Sequence, residues 1–146
     1  MENLINKYPQ HLLEIIDGNQ PFEKKLIAAK GMLPLPPSDF VKVLYAFTLD
    51  ENEQLRSEAD NSLIEIPEEV MKSVLSDNET FPEILDFISK KLNNSNYNQS
   101  ILLNRSTYDS TYAYLAENEV SVANLEIIAS NKERILRSVN IVEALS

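Results

Sequence analysis

The sequence predicts an all-α protein, a short helical-repeat solenoid of about nine helices, a right-handed stack of helix pairs. Three observations predict it. Apolar residues recur at three- and four-residue spacing along most of the chain. β-branched and aromatic residues nowhere alternate over a sustained run, so no sheet is expected. Asp50, Asp77, Asn104 and Asn131 stand 27 residues apart, and Phe47, Val74, Ile101 and Ile128 each stand three residues before them.

The elements follow in order. Pro9 heads Leu12, Leu13, Ile15 and Ile16, as suits a first helical turn, and Asp17-Gly18-Asn19 stops that helix. Pro21 opens a second helix that turns Phe22, Leu26, Ile27 and Ala29 inward and stops at Gly31. The run Leu33-Pro34-Leu35-Pro36-Pro37 cannot be helical, because proline lacks the N–H donor and biases the residue before it to extended backbone. It reads as a rigid linker between a divergent leading pair, residues 1–32, and about four 27-residue units over 38–146, all within one domain. After Ser38, Phe40, Val41, Val43, Leu44 and Phe47 form the next stripe, Asp50 begins a turn, and Leu55, Ala59 and Leu63 mark another helix. Further helices are expected near 67–75, 82–92, 97–103, 108–116, 122–128 and 140–145. Helices this short are marginal alone in water, so stacking must hold them. The expected core is Phe40, Leu44, Phe47, Leu55, Leu63, Val74, Leu85, Ile88, Ile101, Leu102, Leu115, Ile128 and Leu136.

Each unit reads as helix, turn, helix. Asp or Asn suits the turn because its short side chain accepts from the backbone just ahead of it. Six residues before each turn stand Leu44, Met71, Asn98 and Leu125; Thr80 and Thr107 share a register, as do Ile88 and Leu115. A unit of this length cannot bury its apolar face alone, whereas a stack of them makes a continuous core.

Residues 49–63 resemble a HEAT-type repeat, whose second helix often reads D-x-x-x-x-V-R-x-x-A-x-x-x-L; Asp50, Leu55, Arg56, Ala59 and Leu63 stand at those places. At the Arg56 register the later units have Glu83 and Ser110. They look closer to variant leucine-rich repeats, with an N-x-x-T turn and an L-A step: Asn104-Arg105-Ser106-Thr107 with Leu115-Ala116, and Asp77-Asn78-Glu79-Thr80 with Ile88-Ser89. From about residue 30 to 146 the chain also resembles a group of uncharacterised bacterial helical-repeat proteins, on the Leu33-Pro34-Leu35-Pro36-Pro37 run and the closing Ile141-Val142-Glu143-Ala144-Leu145. The resemblance implies a binding module and supplies no catalytic residue.

Composition narrows the chemistry. The 146 residues contain no Cys, one His and two Gly. Disulfides, thiolate sites, multi-histidine metal sites and glycine-rich phosphate loops are therefore not expected. With 13 basic and 23 acidic residues the formal charge is −10. That disfavours nucleic acid and anionic membrane surfaces as partners. Residues 51–93 hold 11 of the acidic and 4 of the basic side chains. No run approaches the length of a membrane helix and no basic leader opens the chain, so the cytoplasm is the expected compartment.

Candidate functional residues follow. Glu51, Glu53, Glu58 and Asp60 form a dense acidic run relieved by Arg56, either a solvated helix face or a docking surface for a basic partner. Tyr97, Tyr108, Tyr112 and Tyr114 are clustered, and Tyr108 with Tyr112 shares a helix face suited to partner contact or to inter-helix packing. Lys132, Arg134 and Arg137 form a small basic cluster that could cap the last turn or meet an acidic group. His11 and Glu14 make at most half a metal or acid–base site, and Glu68 with Glu69 reads as favourable first-turn charge rather than a Ca²⁺ loop. The expected function is therefore a non-enzymatic interaction or scaffold module, without cofactor, for a protein partner or a further domain of its own longer chain. A nucleic-acid-binding repeat and a small-ligand or enzyme domain are the alternatives. At the C-terminus Ile141, Val142 and Leu145 share a face with little polar cover, which predicts a junction: a longer protein or a homodimer through this helix.

Overall fold

In a computed structural model the described residues are 4, 6–118 and 121–131. Among them are nine α-helices and no strand, as expected: α1 (Gln10–Ile16), α2 (Phe22–Ala29), α3 (Pro37–Thr48), α4 (Glu53–Glu65), α5 (Glu68–Ser76), α6 (Pro82–Lys91), α7 (Ser95–Leu103), α8 (Asp109–Asn118) and α9 (Val122–Ser130). The chain divides into two compact units, Met1–Pro67 and Glu68–Ser146. Leu136, the basic cluster Lys132, Arg134 and Arg137, and the C-terminal helix expected at 140–145 lie outside the described residues.

In the first unit α1 packs on α3 and α2 on α4, with α2 also against α1 and α3. Leu12, Ala28, Ala29, Val41, Val43, Leu44, Phe47, Leu55, Ala59 and Leu63 fill its core. The Tyr8 hydroxyl donates to the Lys42 carbonyl at 2.6 Å, and the Ser62 hydroxyl to the Ala29 carbonyl. The end of α2 shows why glycine stands there. Gly31 has φ of +79°, its N–H donates to the Ala28 carbonyl and the Met32 N–H to that of Ile27. This double closure satisfies carbonyls that a helix end otherwise leaves open. A Cβ on Gly31 would come within 3.2 Å of Phe40 Cζ. Phe40 is accordingly half-buried, covering that turn, and does not sit in the core as expected.

In the second unit the helix bounds repeat to the residue. α5, α7 and α9 begin at 68, 95 and 122 and end at 76, 103 and 130; α6 and α8 begin at 82 and 109 and end at 91 and 118. α5, α7 and α9 pack in one row and α6 on α8 in another, and the two rows meet. The turn residues repeat as well. The N–H groups of Asp50, Asp77, Asn104 and Asn131 donate to the carbonyls of Phe47, Val74, Ile101 and Ile128 at 3.1–3.3 Å, and those four apolar side chains are buried. The hydroxyls of Thr80 and Thr107, both buried, donate to the Val74 and Ile101 carbonyls at 2.6 Å. Asn94 and Ser121 cap α7 and α9 by accepting first-turn N–H groups. Of the places six residues before each turn, Leu44, Met71 and Asn98 are buried, whereas Leu125 is 37% exposed.

Candidate interaction surface

The acidic run folds around α4, whose apolar stripe Leu55, Ala59 and Leu63 is buried. At 3.6 residues per turn, Glu53 and Asp60 line one flank of that stripe, while Glu58 and Glu65 line the other. Glu51 and Glu53 are exposed, and Glu58 and Asp60 are partly so. Between the flanks the outward face carries Gln54, Ser57, Asn61 and Ile64, and Ile64 is 62% exposed. The carboxylates thus frame an apolar side chain. Sequence reading missed Ile64; its place outside the Leu55–Ala59–Leu63 stripe was the available signal.

Arg56 stands within this acidic run and bonds the backbone. Its Nη1 donates to the carbonyls of Asp50 and Glu51 at 2.8 and 3.0 Å, bracing the α3–α4 turn. Asp50 is held from two sides. Its Oδ1 accepts the Asn52 N–H at 2.8 Å, and its Oδ2 lies 3.7 Å from Nζ of Lys25, a lysine 8% exposed. These residues therefore have local duties: Leu55, Ala59 and Leu63 pack, Arg56 braces and Asp50 tethers.

The tyrosines separate by burial. Tyr112 is fully buried and its hydroxyl donates to the Ile127 carbonyl at 3.4 Å, so it belongs to the core and leaves the candidate surface. Tyr97 is also buried; burial, reinforced by the negative charge of Glu68, raises its hydroxyl pKa above the ordinary 10.0. Tyr108 remains 42% exposed, but its hydroxyl donates to Glu83 Oε1 at 2.9 Å. Beside it the Thr111 hydroxyl donates to Asp86 Oδ1 at 2.6 Å. Lys90 lies 3.1 Å from Asp86 Oδ2, with its ammonium 5.3 Å from the centre of the Tyr114 ring. These contacts tie α6 to α8.

His11 pairs with Asp39 of α3, Nε2 to Oδ2 at 3.3 Å, rather than with Glu14. Both His11 and Glu14 border an open cavity of about 400 Å³ in the first unit, walled by Ile15, Ile27 and Leu33 with Lys24 at its edge. Glu68 accepts from Nδ2 of Asn96 at 2.7 Å and Glu69 lies 3.8 Å from Lys72; both stand in the first turn of α5, as expected. Among the described residues no three His, Asp or Glu side chains gather as a metal site, and no helix is long and apolar enough to cross a membrane.

No protein-family model, no curated protein and no solved structure matches the chain.

Proposed function

We propose that the chain is a non-enzymatic helical-repeat module, HEAT-like at residues 49–63 and closer to variant leucine-rich repeats downstream, that binds a basic segment of a protein partner. The observation that carries this reading is the coincidence of helix bounds at 27-residue steps. A chain that repeats a packing unit to the residue extends one surface, and such surfaces serve recognition. The polar side chains of the second unit support the same reading, because Asn104, Ser106, Tyr108, Thr111 and Asn124 are engaged in bonds to residues 25–29 positions earlier. The α4 surface supplies the recognition chemistry: carboxylates on two flanks for Lys and Arg, and Ile64 between them for an apolar anchor.

The test is titration of a fluorescent lysine- and arginine-rich peptide into the full chain. Glu51→Lys with Glu53→Lys should weaken binding about tenfold, while Glu79→Lys with Glu117→Lys, the same change of net charge elsewhere, should weaken it less than about twofold. Equal losses in the two pairs would reduce the attraction to net charge and end the proposal for this surface.

A further inference from the structure

Helices α1 and α2 and the linker that follows them border the cavity of about 400 Å³ in the first unit. Sites for small molecules usually hold about 300–1,000 Å³. Ile15 of α1, Ile27 of α2 and Leu33 of the linker give the cavity an apolar lining, and Ile27 is 43% exposed. Three short closures fix these walls. The Gln20 N–H donates to the Asp17 carbonyl at 3.0 Å between the helices, the Met32 N–H to the Ile27 carbonyl at 3.1 Å, and the Leu35 N–H to the Leu33 carbonyl at 2.9 Å. Pro34 and Pro36 stiffen the linker further. Charge of both signs reaches the border. Glu14 stands beside Ile15 on α1, and Lys24 stands one turn before Ile27 on α2. Both are exposed, and among the described residues neither forms an ion pair with the other or with a third group. His11, also at the border, is bonded to Asp39.

We propose that this cavity binds a free α-amino acid with an apolar side chain, such as leucine. Glu14 takes the ammonium, Lys24 the carboxylate, and Ile15, Ile27 and Leu33 the side chain. Charge complementarity selects this occupant. An apolar carboxylate would satisfy Lys24 but meet the like charge of Glu14, and an apolar amine would do the reverse. A zwitterion satisfies both and leaves the net charge of the site unchanged. The two charged contacts are solvent-exposed, so each contributes little, and the apolar side chain carries most of the affinity. No residue of α4 lines the cavity, so the inference stands apart from the reading of the α4 surface.

Titration of the full chain with L-leucine, followed by the backbone amide shifts in NMR spectra, tests this. The expected result is saturable shifts among residues 11–33 with a Kd on the order of 1 mM. Glycine, which lacks the apolar side chain, should bind at least about tenfold more weakly. Isocaproate lacks the ammonium and isoamylamine lacks the carboxylate, and each should bind about threefold more weakly than leucine. Glu14→Gln should erase the advantage of leucine over isocaproate, and Lys24→Gln its advantage over isoamylamine. Both changes fall at exposed positions, so the far-UV circular dichroism of each variant should match the parent. No saturable shift up to about 50 mM leucine overturns the inference, as do shifts confined to residues outside 11–33. So does equal binding of leucine and both single-charge analogues, which would reduce the cavity to an apolar patch.

Discussion

The two units solve one problem with different parts. Both must close a turn between helices and tether it to the helix pair before. In the second unit the period is 27 residues and the parts are small: a Thr hydroxyl closes the turn, and the Asn104 amide reaches back to the Leu75 and Asp77 carbonyls at 2.8 and 2.9 Å. In the first unit the corresponding turns, at Asp17 and Asp50, are 33 residues apart. There the long side chains of Arg56 and Lys25 do the closing and tethering. The longer step has a visible source: seven residues, 30–36, join α2 to α3, whereas two join α4 to α5. The difference is visible in what the register residues Asp50 and Asn104 meet. At each turn one side-chain oxygen accepts from the backbone two residues ahead, in Asp17, Asp50, Asp77 and Asn104 alike, at 2.8–2.9 Å. The second side-chain atom is free to match what lies behind it. At Asp50 it is an oxygen that meets the Lys25 ammonium, and at Asn104 an amide nitrogen that meets two carbonyls.

The sharpest test of the repeat is to empty one core place in each unit. Leu44 and Ile101 are both fully buried. Leu44→Ala and Ile101→Ala should each cost about 2–5 kcal/mol, the transfer loss plus the cavity left behind. Chemical denaturation gives the cost, and native-state hydrogen exchange should assign the Leu44→Ala loss to α1–α4 and the Ile101→Ala loss to α5–α9. Losses within error for both would mean that the 27-residue register does not mark the core.

A smaller effect separates the tether from the turn. Asn104→Asp keeps the oxygen that accepts the Ser106 N–H but removes the donor to Leu75 and Asp77, at a residue 2% exposed. It should cost about 2–3 kcal/mol, because buried carbonyls lose a donor and face a carboxylate instead. Asp50→Asn, the mirror exchange, should cost less, since Asp50 is 27% exposed and its pair with Lys25 is partly screened. Equal costs on urea unfolding would break the proposed matching of residue to neighbour.

Helix type and register could be read from the sequence because both rest on local rules. Periodicity marked the buried stripes, proline and Gly31 marked boundaries, and the Asp and Asn turns obey short-range geometry. The Phe40 exception came from a neighbour: its ring is drawn to the bare face of Gly31. The sequence left Tyr112 open between partner contact and inter-helix packing, because a tyrosine on a helix face looks the same in either setting; its burial places it in the packing. The acidic run was legible as a run, but its division into two flanks around Ile64 needed the helix phase. The tether partners were invisible, since Lys25 and Asp50 are 25 residues apart and nothing local links them. Leu125 shows the limit of the register itself: its position predicts burial, and the absence of a successor among the described helices removes it.

The mildest test concerns the row of α5 and α7. Tyr97 is buried at the start of α7, and its hydroxyl pKa is raised, first by burial and then by the charge of Glu68. The folded chain therefore holds this proton more tightly than the unfolded chain does. Stability from this group is complete below the unfolded value near 10.0 and is lost as pH rises from there through the higher folded value. Unfolding free energy measured across that alkaline window should fall more steeply in the parent than in Tyr97→Phe, which has no proton to release. Glu68→Gln should leave most of the slope, because burial is the larger cause. It should also preserve the contact with Asn96, since an amide oxygen can still accept from Nδ2. If Glu68→Gln abolished the slope and Tyr97→Phe did not, the alkaline loss would belong to the carboxylate's surroundings, and the first turn of α5 rather than the buried face of α7 would be the sensitive place in this row.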